Sequence, residues 1–193
     1  MTTAQQGFTL QELAWTSWVE TVDLASASAE QIAVLEESNA KAKTSPYYLL
    51  LVQEPEVLRH RSRLFNAVMY GQKGLPRADR ELASVAESRL NGCPYCASVH
   101  GRLFAQLTKE PDVIERIFAD GTDTPLDPRR RAIVDYAVNL SHTPSRSTPA
   151  DIAALREAGL SDAEILDVTH VVAMFAWANR LMQTLGEPVV AGA

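Results

Sequence analysis

The amino-acid sequence predicts an all-α fold, and three observations support this prediction. Apolar residues recur at three- and four-residue steps along most of the 193 residues, which is the spacing of one helix face. Most of these stretches begin with proline or a capping side chain, and several are followed by glycine. No stretch of useful length alternates apolar and polar residues, as a half-buried strand would. We therefore expect a bundle of helices without a convincing strand.

The N-terminal part of the chain is predicted to hold two helices. The first covers 9–22, and Trp15 and Trp18 are among its apolar positions, where they are most simply core or interface residues. The second begins near Ser28, because Ser28 and Gln31 have the spacing of a capping box.

The whole chain is expected to form a single domain with an N-terminal arm. Residues 40–45 are predicted to be a linker. We expect residues 1–45 to be a helical arm that packs on the core or on a neighbouring subunit. Residues 46–193 then form the main, catalytic domain.

Proline residues mark most helix starts in the main domain, where proline suits the first helical turn. The apolar stretch 47–52 is predicted as a short helix, although its composition would also suit a strand. The longer predicted helices cover 55–70, 76–90, 93–107, 111–118, 128–140, 149–158 and 162–185. The last one follows Ser161, which has a capping-box partner in Glu164. It is apolar on nearly all sides, so we expect a central or interface helix.

Charge and hydropathy disfavour several classes of partner. The chain has 18 basic and 24 acidic side chains, a net charge of −6, which argues against nucleic acid or an anionic membrane as partner. The one basic run, 129–131, is expected to be the exposed first turn of a helix. No segment is apolar enough to span a bilayer, and the N-terminus lacks a secretory signal, so a cytoplasmic protein is expected.

Two cysteines three residues apart are the strongest chemical signal. Cys93 and Cys96 would close too short a loop for a useful structural disulfide, so a redox or metal-binding pair is favoured over two buried apolar side chains. His100 follows one turn later, and on a helix all three side chains share one stripe. A helix N-terminus stabilises a thiolate, which by itself favours ionisation of Cys93.

A carboxylate on the preceding helix completes the candidate site. Glu81 lies twelve residues before Cys93, and the turn at 91–92 folds the two helices against each other. Glu81 could then reach the thiols and the imidazole, although Glu87 lies on the same helix and a helical glutamate is usually solvated. Tyr95, between the cysteines, is expected either to donate a hydrogen bond in the site or to pack. A zinc site would need a fourth ligand, so neither a metal nor a bound cofactor is expected.

Together these residues resemble a known family. The segments 80–82 and 91–96 with His100 are similar to the alkyl hydroperoxidase D (AhpD)-like proteins of the carboxymuconolactone decarboxylase superfamily. The segments 179–181 and 186–188 are similar to its peroxidase-related branch, and the resemblance covers roughly 46–188. It implies an AhpD-like helical bundle that assembles into a homo-oligomer, a dimer, trimer or hexamer.

The resemblance also implies an activity and roles for the site residues. It implies a thiol peroxidase, in which Cys96 attacks a hydroperoxide, Cys93 resolves the product as a disulfide, and His100 with Glu81 relays protons. An external dithiol would reduce the disulfide. Many AhpD proteins have a histidine between the cysteines where this chain has Tyr95, which puts the relay and the peroxidase activity in question.

Three other functions remain compatible with the sequence. A lactone decarboxylase of the same superfamily does not need the cysteine pair. A redox-sensing or chaperone-like protein would use the disulfide as a switch without turnover. A metal-binding protein would hold zinc on the same residues.

Overall fold

The computed structural model describes residues 7–190, and these residues form the predicted all-α fold. The helices are α1 (Ala29–Ser38), α2 (Pro46–Leu51), α3 (Pro55–Tyr70), α4 (Arg77–Leu90), α5 (Pro94–Thr108), α6 (Pro111–Asp120), α7 (Pro128–Ser141), α8 (Pro149–Glu157) and α9 (Asp162–Thr184). A short 3₁₀ turn, Ala42–Thr44, precedes α2. The predicted capping boxes of Ser28 and Ser161 are both present.

The predicted helix over 9–22 is wrong. In its place lies the strand β1 (Leu13–Ser17), which pairs antiparallel with β2 (Gly186–Val190) after the last helix. Leu13 and Trp15 are buried, whereas the residues between and after them are exposed, so this segment alternates with period two. The alternation is only four residues long, too short to stand out against the helical spacing of its neighbours.

Trp15 fixes this strand pair onto the bundle. Its indole N–H donates to the Met182 carbonyl at 3.0 Å, and its ring meets the Tyr47 ring edge-on with centroids 5.6 Å apart. Gly186 permits the close approach, because a Cβ there would lie 2.2 Å from the Trp15 ring and from the Thr16 carbonyl oxygen. Trp18, expected in the core or an interface, is 60 % exposed.

The two ends of the chain are described only in part. Residues 1–6 of the predicted arm and 191–193 of the predicted main domain lie outside the described residues. Within 7–45, α1 packs against α3 of the same chain, and β1 packs against α2 and α5. The division near residue 45 stays a prediction.

The centre of the bundle is α4, which packs against α5, α7 and α9. Every residue from 80 to 88 is buried, including arginine, glutamate and serine side chains. Arg80 illustrates how these polar groups are satisfied, since its guanidinium donates to the carbonyls of Val68, Gly71 and Lys73 in and after α3. The last helix, α9, buries one face against this centre but exposes Leu166 and other apolar side chains on the opposite face.

A tight turn sets the start of α5. Gly92 has φ +70°, in the left-handed region that glycine adopts most readily. The side chain of Gln183 on α9 donates to the carbonyls of Asn91 and Gly92, both at 2.8 Å. Cys93 thereby becomes the N-cap residue of α5. No helix among residues 7–190 is both long and apolar enough to cross a membrane.

The strand placement predicts unequal roles for the two N-terminal tryptophans. Trp15→Ala should lower the free energy of unfolding by about 3 to 5 kcal/mol, because it removes a buried ring and leaves a cavity. The exposed Trp18→Ala should change it by at most about 0.5 kcal/mol. Urea denaturation gives the free energy of unfolding of both variants. Equal losses of this free energy would contradict the position of β1.

Candidate functional site

The three residues of the predicted cysteine–histidine stripe lie at the first turns of α5. Cys93 caps the helix, Cys96 lies in its first turn, and His100 follows one turn later, all three buried. The first turn of a helix has N–H groups without helical acceptors, so it favours negative charge. The cysteines are both free thiols.

The two thiols interact and differ in acidity. A hydrogen bond from Cys96 lowers the pKa of Cys93 against the opposing effect of burial, and backbone N–H groups of Tyr95 and Cys96 lower it further. The same hydrogen bond, together with burial, raises the pKa of Cys96 well above its ordinary value. The side chain of Asn179, from α9, lies close enough to lower the pKa of both thiols.

Access to the two cysteines also differs, because the less acidic thiol, Cys96, is the one that reaches the cavity. A cavity of about 430 Å³ opens beside α5, with Cys96 and His100 in its wall. Cys93 is not among the residues that line it. A small molecule in this cavity therefore meets the sulfur of Cys96, whereas Cys93 is reached through Cys96.

Glu81 lies beside His100, as the sequence predicted. Its Oε2 accepts a hydrogen bond from His100 Nδ1 at 2.5 Å, and its Oε1 accepts from Arg77 Nε at 2.5 Å. The Glu81 side chain has no exposed surface. Burial alone would raise the pKa of Glu81, but His100 and Arg77 outweigh it and hold the pKa below its usual range.

The bond to Glu81 fixes which nitrogen of His100 is free. With Nδ1 donating to the carboxylate, Nε2 has no hydrogen-bond partner among residues 7–190. Phe175 supports the ring edge-on, with centroids 4.5 Å apart. The free nitrogen of a ring held in this way is an acceptor for a proton from the cavity.

The other glutamate on the same helix does not contact His100. Glu87 accepts hydrogen bonds from Asn91 and Ser141 rather than from the site residues. Burial raises its pKa, and these two hydrogen bonds oppose the rise only in part. Glu81, and not Glu87, is therefore the carboxylate that meets His100.

Sequence reasoning left open the role of Tyr95 and missed three site residues. Tyr95 is half-buried in the cavity wall, and its hydroxyl makes no hydrogen bond with a described residue. Arg77 could have been found, because it precedes Glu81 by four residues on one helix face. Asn179 and Arg61 come from distant helices, so no local spacing pointed to their place near the thiols.

A metal centre was the least favoured alternative from the sequence. Among residues 7–190, no group of three or more histidine, cysteine, aspartate or glutamate side chains is placed to hold a metal ion.

This chain is similar to one protein family and to several solved structures. Residues 55–138 match the carboxymuconolactone decarboxylase family. A crystal structure of an uncharacterized peroxidase-related protein with an alkylhydroperoxidase AhpD core, from Ralstonia eutropha JMP134, is 29 % identical with a TM-score of 0.76. The match covers 88 % of this chain and 90 % of that one.

Two further solved structures share the fold at lower identity. An uncharacterized peroxidase-related protein from Silicibacter sp. TM1040 is 24 % identical, with a TM-score of 0.70 over 89 % of this chain and 94 % of that one. The debrominase Bmp8 is 16 % identical, with a TM-score of 0.70 over 88 % of this chain and 90 % of that one.

Among curated proteins, no significant match to this sequence was found. The matched segment 55–138 contains α4 and the start of α5, which hold Glu81, both cysteines and His100. This family match and the 29 % identical structure with an AhpD core support the resemblance to AhpD-like proteins of the carboxymuconolactone decarboxylase superfamily.

Proposed function

We propose that this protein is a thiol-dependent peroxidase that reduces hydroperoxides through a disulfide cycle of Cys96 and Cys93. The observation that carries the proposal is the shared cavity wall of Cys96 and His100, with His100 hydrogen-bonded to buried Glu81. A nucleophile, a proton acceptor and a group that orients the acceptor form the usual arrangement of an activated thiol. The superfamily and the peroxidase-related neighbour at 29 % identity support the same activity.

The first step oxidises Cys96. Its thiolate attacks the outer oxygen of the hydroperoxide, the O–O bond breaks, and Cys96 becomes a sulfenic acid. The leaving alkoxide takes up the proton that the thiol pair gave up, so one thiol and one hydroperoxide yield one sulfenic acid and one alcohol. His100 Nε2 accepts that proton from the thiol and returns it to the alkoxide.

The second step forms the disulfide and frees one water molecule. The sulfur of Cys93 attacks the sulfur of the Cys96 sulfenic acid, and hydroxide leaves with the Cys93 proton. The lowered pKa of Cys93 suits this role, because a thiolate is the attacking species. An external dithiol then reduces the disulfide by thiol–disulfide exchange and is itself oxidised.

The low acidity of Cys96 is the main difficulty for this assignment, and the hydrogen bond between the thiols offers a solution. The lowered pKa of Cys93 and the raised pKa of Cys96 mean that Cys93 loses its proton more easily than Cys96. A proton transfer within that hydrogen bond generates the Cys96 thiolate beside the cavity. The pair then titrates as a unit, so its charge belongs to both sulfurs.

A redox switch is the second candidate, and the burial of both cysteines favours it. Cys93 is 2 % exposed and Cys96 is 7 % exposed, so a bulky reductant reaches them only after the site opens. A switch would react once with peroxide and would then change its surface or its assembly. Turnover with excess dithiol distinguishes the two functions.

Homo-oligomeric assembly in the cytoplasm is part of the same proposal. The exposed faces of α3 and α9 support assembly, because they carry large apolar side chains: Val57, Leu64, Leu166 and Trp177. A reducing compartment would supply the dithiol.

Serine variants of the two cysteines test the cycle. With hydroperoxide and excess dithiothreitol, Cys96→Ser should lose turnover completely, whereas Cys93→Ser should form one equivalent of sulfenic acid that dimedone traps. Peroxide consumption and mass spectrometry measure these outcomes. Equal behaviour of both variants and the wild type would exclude the proposed roles.

The proton relay is tested by two glutamine variants of α4. Glu81→Gln keeps the side-chain shape but removes the charge next to His100, so kcat/KM should fall by about 100-fold or more. Glu87→Gln alters a buried glutamate outside the site and should leave kcat/KM within about threefold. Comparable losses of kcat/KM in both variants would mean that Glu81 stabilises the fold and takes no part in proton transfer.

The same variants should respond to pH in opposite directions. The pKa of Glu81 is lowered in the folded state, so its stabilising contribution is complete above its unfolded pKa of about 4.3 and is lost as pH falls through the folded value. The pKa of Glu87 is raised, so its contribution is present below about 4.3 and is lost as pH rises through the folded value. The deficit of Glu81→Gln relative to the wild type should therefore stay constant above about pH 4.3 and shrink as pH falls below it, whereas the deficit of Glu87→Gln should shrink as pH rises above about 4.3. Melting temperatures measure both, and parallel changes would contradict the assigned shifts.

A further inference from the structure

Arg61 on α3 is a buried cation beside the catalytic cavity. Its side chain is 8 % exposed and contributes to the cavity wall together with Cys96 and His100. Its positive charge is near enough to lower the pKa of Cys96. A buried guanidinium normally has a carboxylate partner that offsets the loss of hydration.

No carboxylate among residues 7–190 forms an ion pair with Arg61. One N–H of its Nη1 donates to the Tyr48 hydroxyl at 2.9 Å, which uses one of the five donors of a guanidinium. Its other contacts are aromatic faces: the centroids of Tyr47, Tyr48 and Phe65 lie 5.6, 5.3 and 4.7 Å from its Cζ. These rings hold the cation in position, and its remaining N–H groups have no hydrogen-bond acceptor among residues 7–190.

Arg80 shows how the same fold treats an arginine with a purely structural role. It is 2 % exposed, yet its guanidinium donates to three carbonyl oxygens and forms an ion pair with Asp167 at 3.6 Å. Arg61, in contrast, has neither carbonyl nor carboxylate partners within residues 7–190.

Within residues 7–190, the rest of the cavity wall also carries positive charge and no negative charge. Besides Arg61 it carries one further fixed cation, Lys41, and no aspartate or glutamate, although the whole chain has a net charge of −6. Tyr47 also lines the cavity, and its buried hydroxyl has no hydrogen-bond partner among the described residues. This hydroxyl lies beside Arg61 and adds a second hydrogen-bonding group to the same part of the cavity wall.

Much of the cavity wall is apolar. Its apolar side chains include Phe65, Val99, Leu103, Phe175 and Met182. A cavity of about 430 Å³ with such a wall takes a ligand of roughly ten to twenty heavy atoms, mostly hydrocarbon.

We propose that the cavity binds an organic carboxylate with an apolar body, and that Arg61, with the Tyr48 and Tyr47 hydroxyls, binds its carboxylate group. Planar guanidinium and carboxylate groups match in a two-point hydrogen bond, which is stronger and more selective than a single contact. The proposal rests on the proposed function in one respect: the bound carboxylate also carries the hydroperoxide group that Cys96 reduces. Arg61 then has a second effect, because its charge offsets the repulsion between the substrate anion and the thiolate.

A pair of substrates that differ in one group tests the proposal. Cumene hydroperoxide is neutral, and its para-carboxylated analogue adds only the anion. For the wild type, kcat/KM should be about 10- to 100-fold higher for the carboxylated substrate. Arg61→Gln should abolish this ratio. It should also lower kcat/KM for the neutral substrate, but by a smaller factor than for the carboxylated one, because Cys96 loses a nearby positive charge. Arg63→Gln, an exposed arginine two residues further on α3, removes the same charge and should keep the ratio.

Several results would overturn the assignment. A wild type that reduces both substrates equally, or Arg61→Gln that retains the ratio, excludes Arg61 as the carboxylate-binding group. An equal loss on both substrates would mean that Arg61 serves the Cys96 thiolate and not the ligand. If Arg61→Gln fails to fold by circular dichroism, Arg61→Lys replaces it: it keeps the charge but not the planar fork, and should reduce the ratio without removing it.

Equilibrium binding separates failure of this inference from failure of the proposed activity. By calorimetry, 4-isopropylbenzoate should bind the wild type at least tenfold more tightly than 4-isopropylbenzamide, and the preference should disappear in Arg61→Gln. If neither hydroperoxide is turned over but this preference is found, the carboxylate site stands and the peroxidase proposal falls. If the benzoate does not bind better than the amide, the carboxylate site falls whatever the activity.

Discussion

The buried carboxylate of Glu81 is the constraint on which the arrangement of the site depends. A carboxylate without solvent contact is unfavourable unless charged partners and hydrogen bonds replace the lost water. Arg77 supplies one partner from the same helix, and His100 supplies the other from the next helix. Because both oxygens are occupied, α4 and α5 are held in one relative position, and the imidazole faces the cavity with a defined nitrogen.

The same turn that joins these helices separates the roles of the two sulfurs. The Asn91–Gly92 turn puts Cys93 at the cap of α5 and Cys96 inside its first turn. The cap position favours charge, whereas the helical position faces the cavity. Acidity and access are thus divided between two atoms that share a hydrogen bond. The hydrogen bond from Cys96 and the backbone N–H groups at the helix start account for the acidity of Cys93, and the cavity accounts for the access to Cys96. Both effects are needed to describe the pair.

The sequence predicted the helices and the cysteine–histidine stripe well, because both follow from local spacing. Capping residues such as Ser28 and Ser161 mark their helices directly, and Cys96 and His100 share a face at any site on a helix. The strand β1 was missed, since its partner β2 is far away in the sequence and four alternating residues carry little signal. Arg61 was missed for a related reason: an arginine on an amphipathic helix is usually solvated, and only the packing of α2 and α3 encloses it.

The pairing of β1 with β2 links residues near the two ends of the chain, from Leu13 with Val190 to Ser17 with Gly186. Contacts between such distant residues form late in folding, because a long loop must close first. The pair also holds the end of α9, where Trp15 contacts Met182 in the cavity wall. Until β1 and β2 have paired, both cysteines are therefore present without a completed cavity wall beside them, so folding of this distant pair limits when the site is formed.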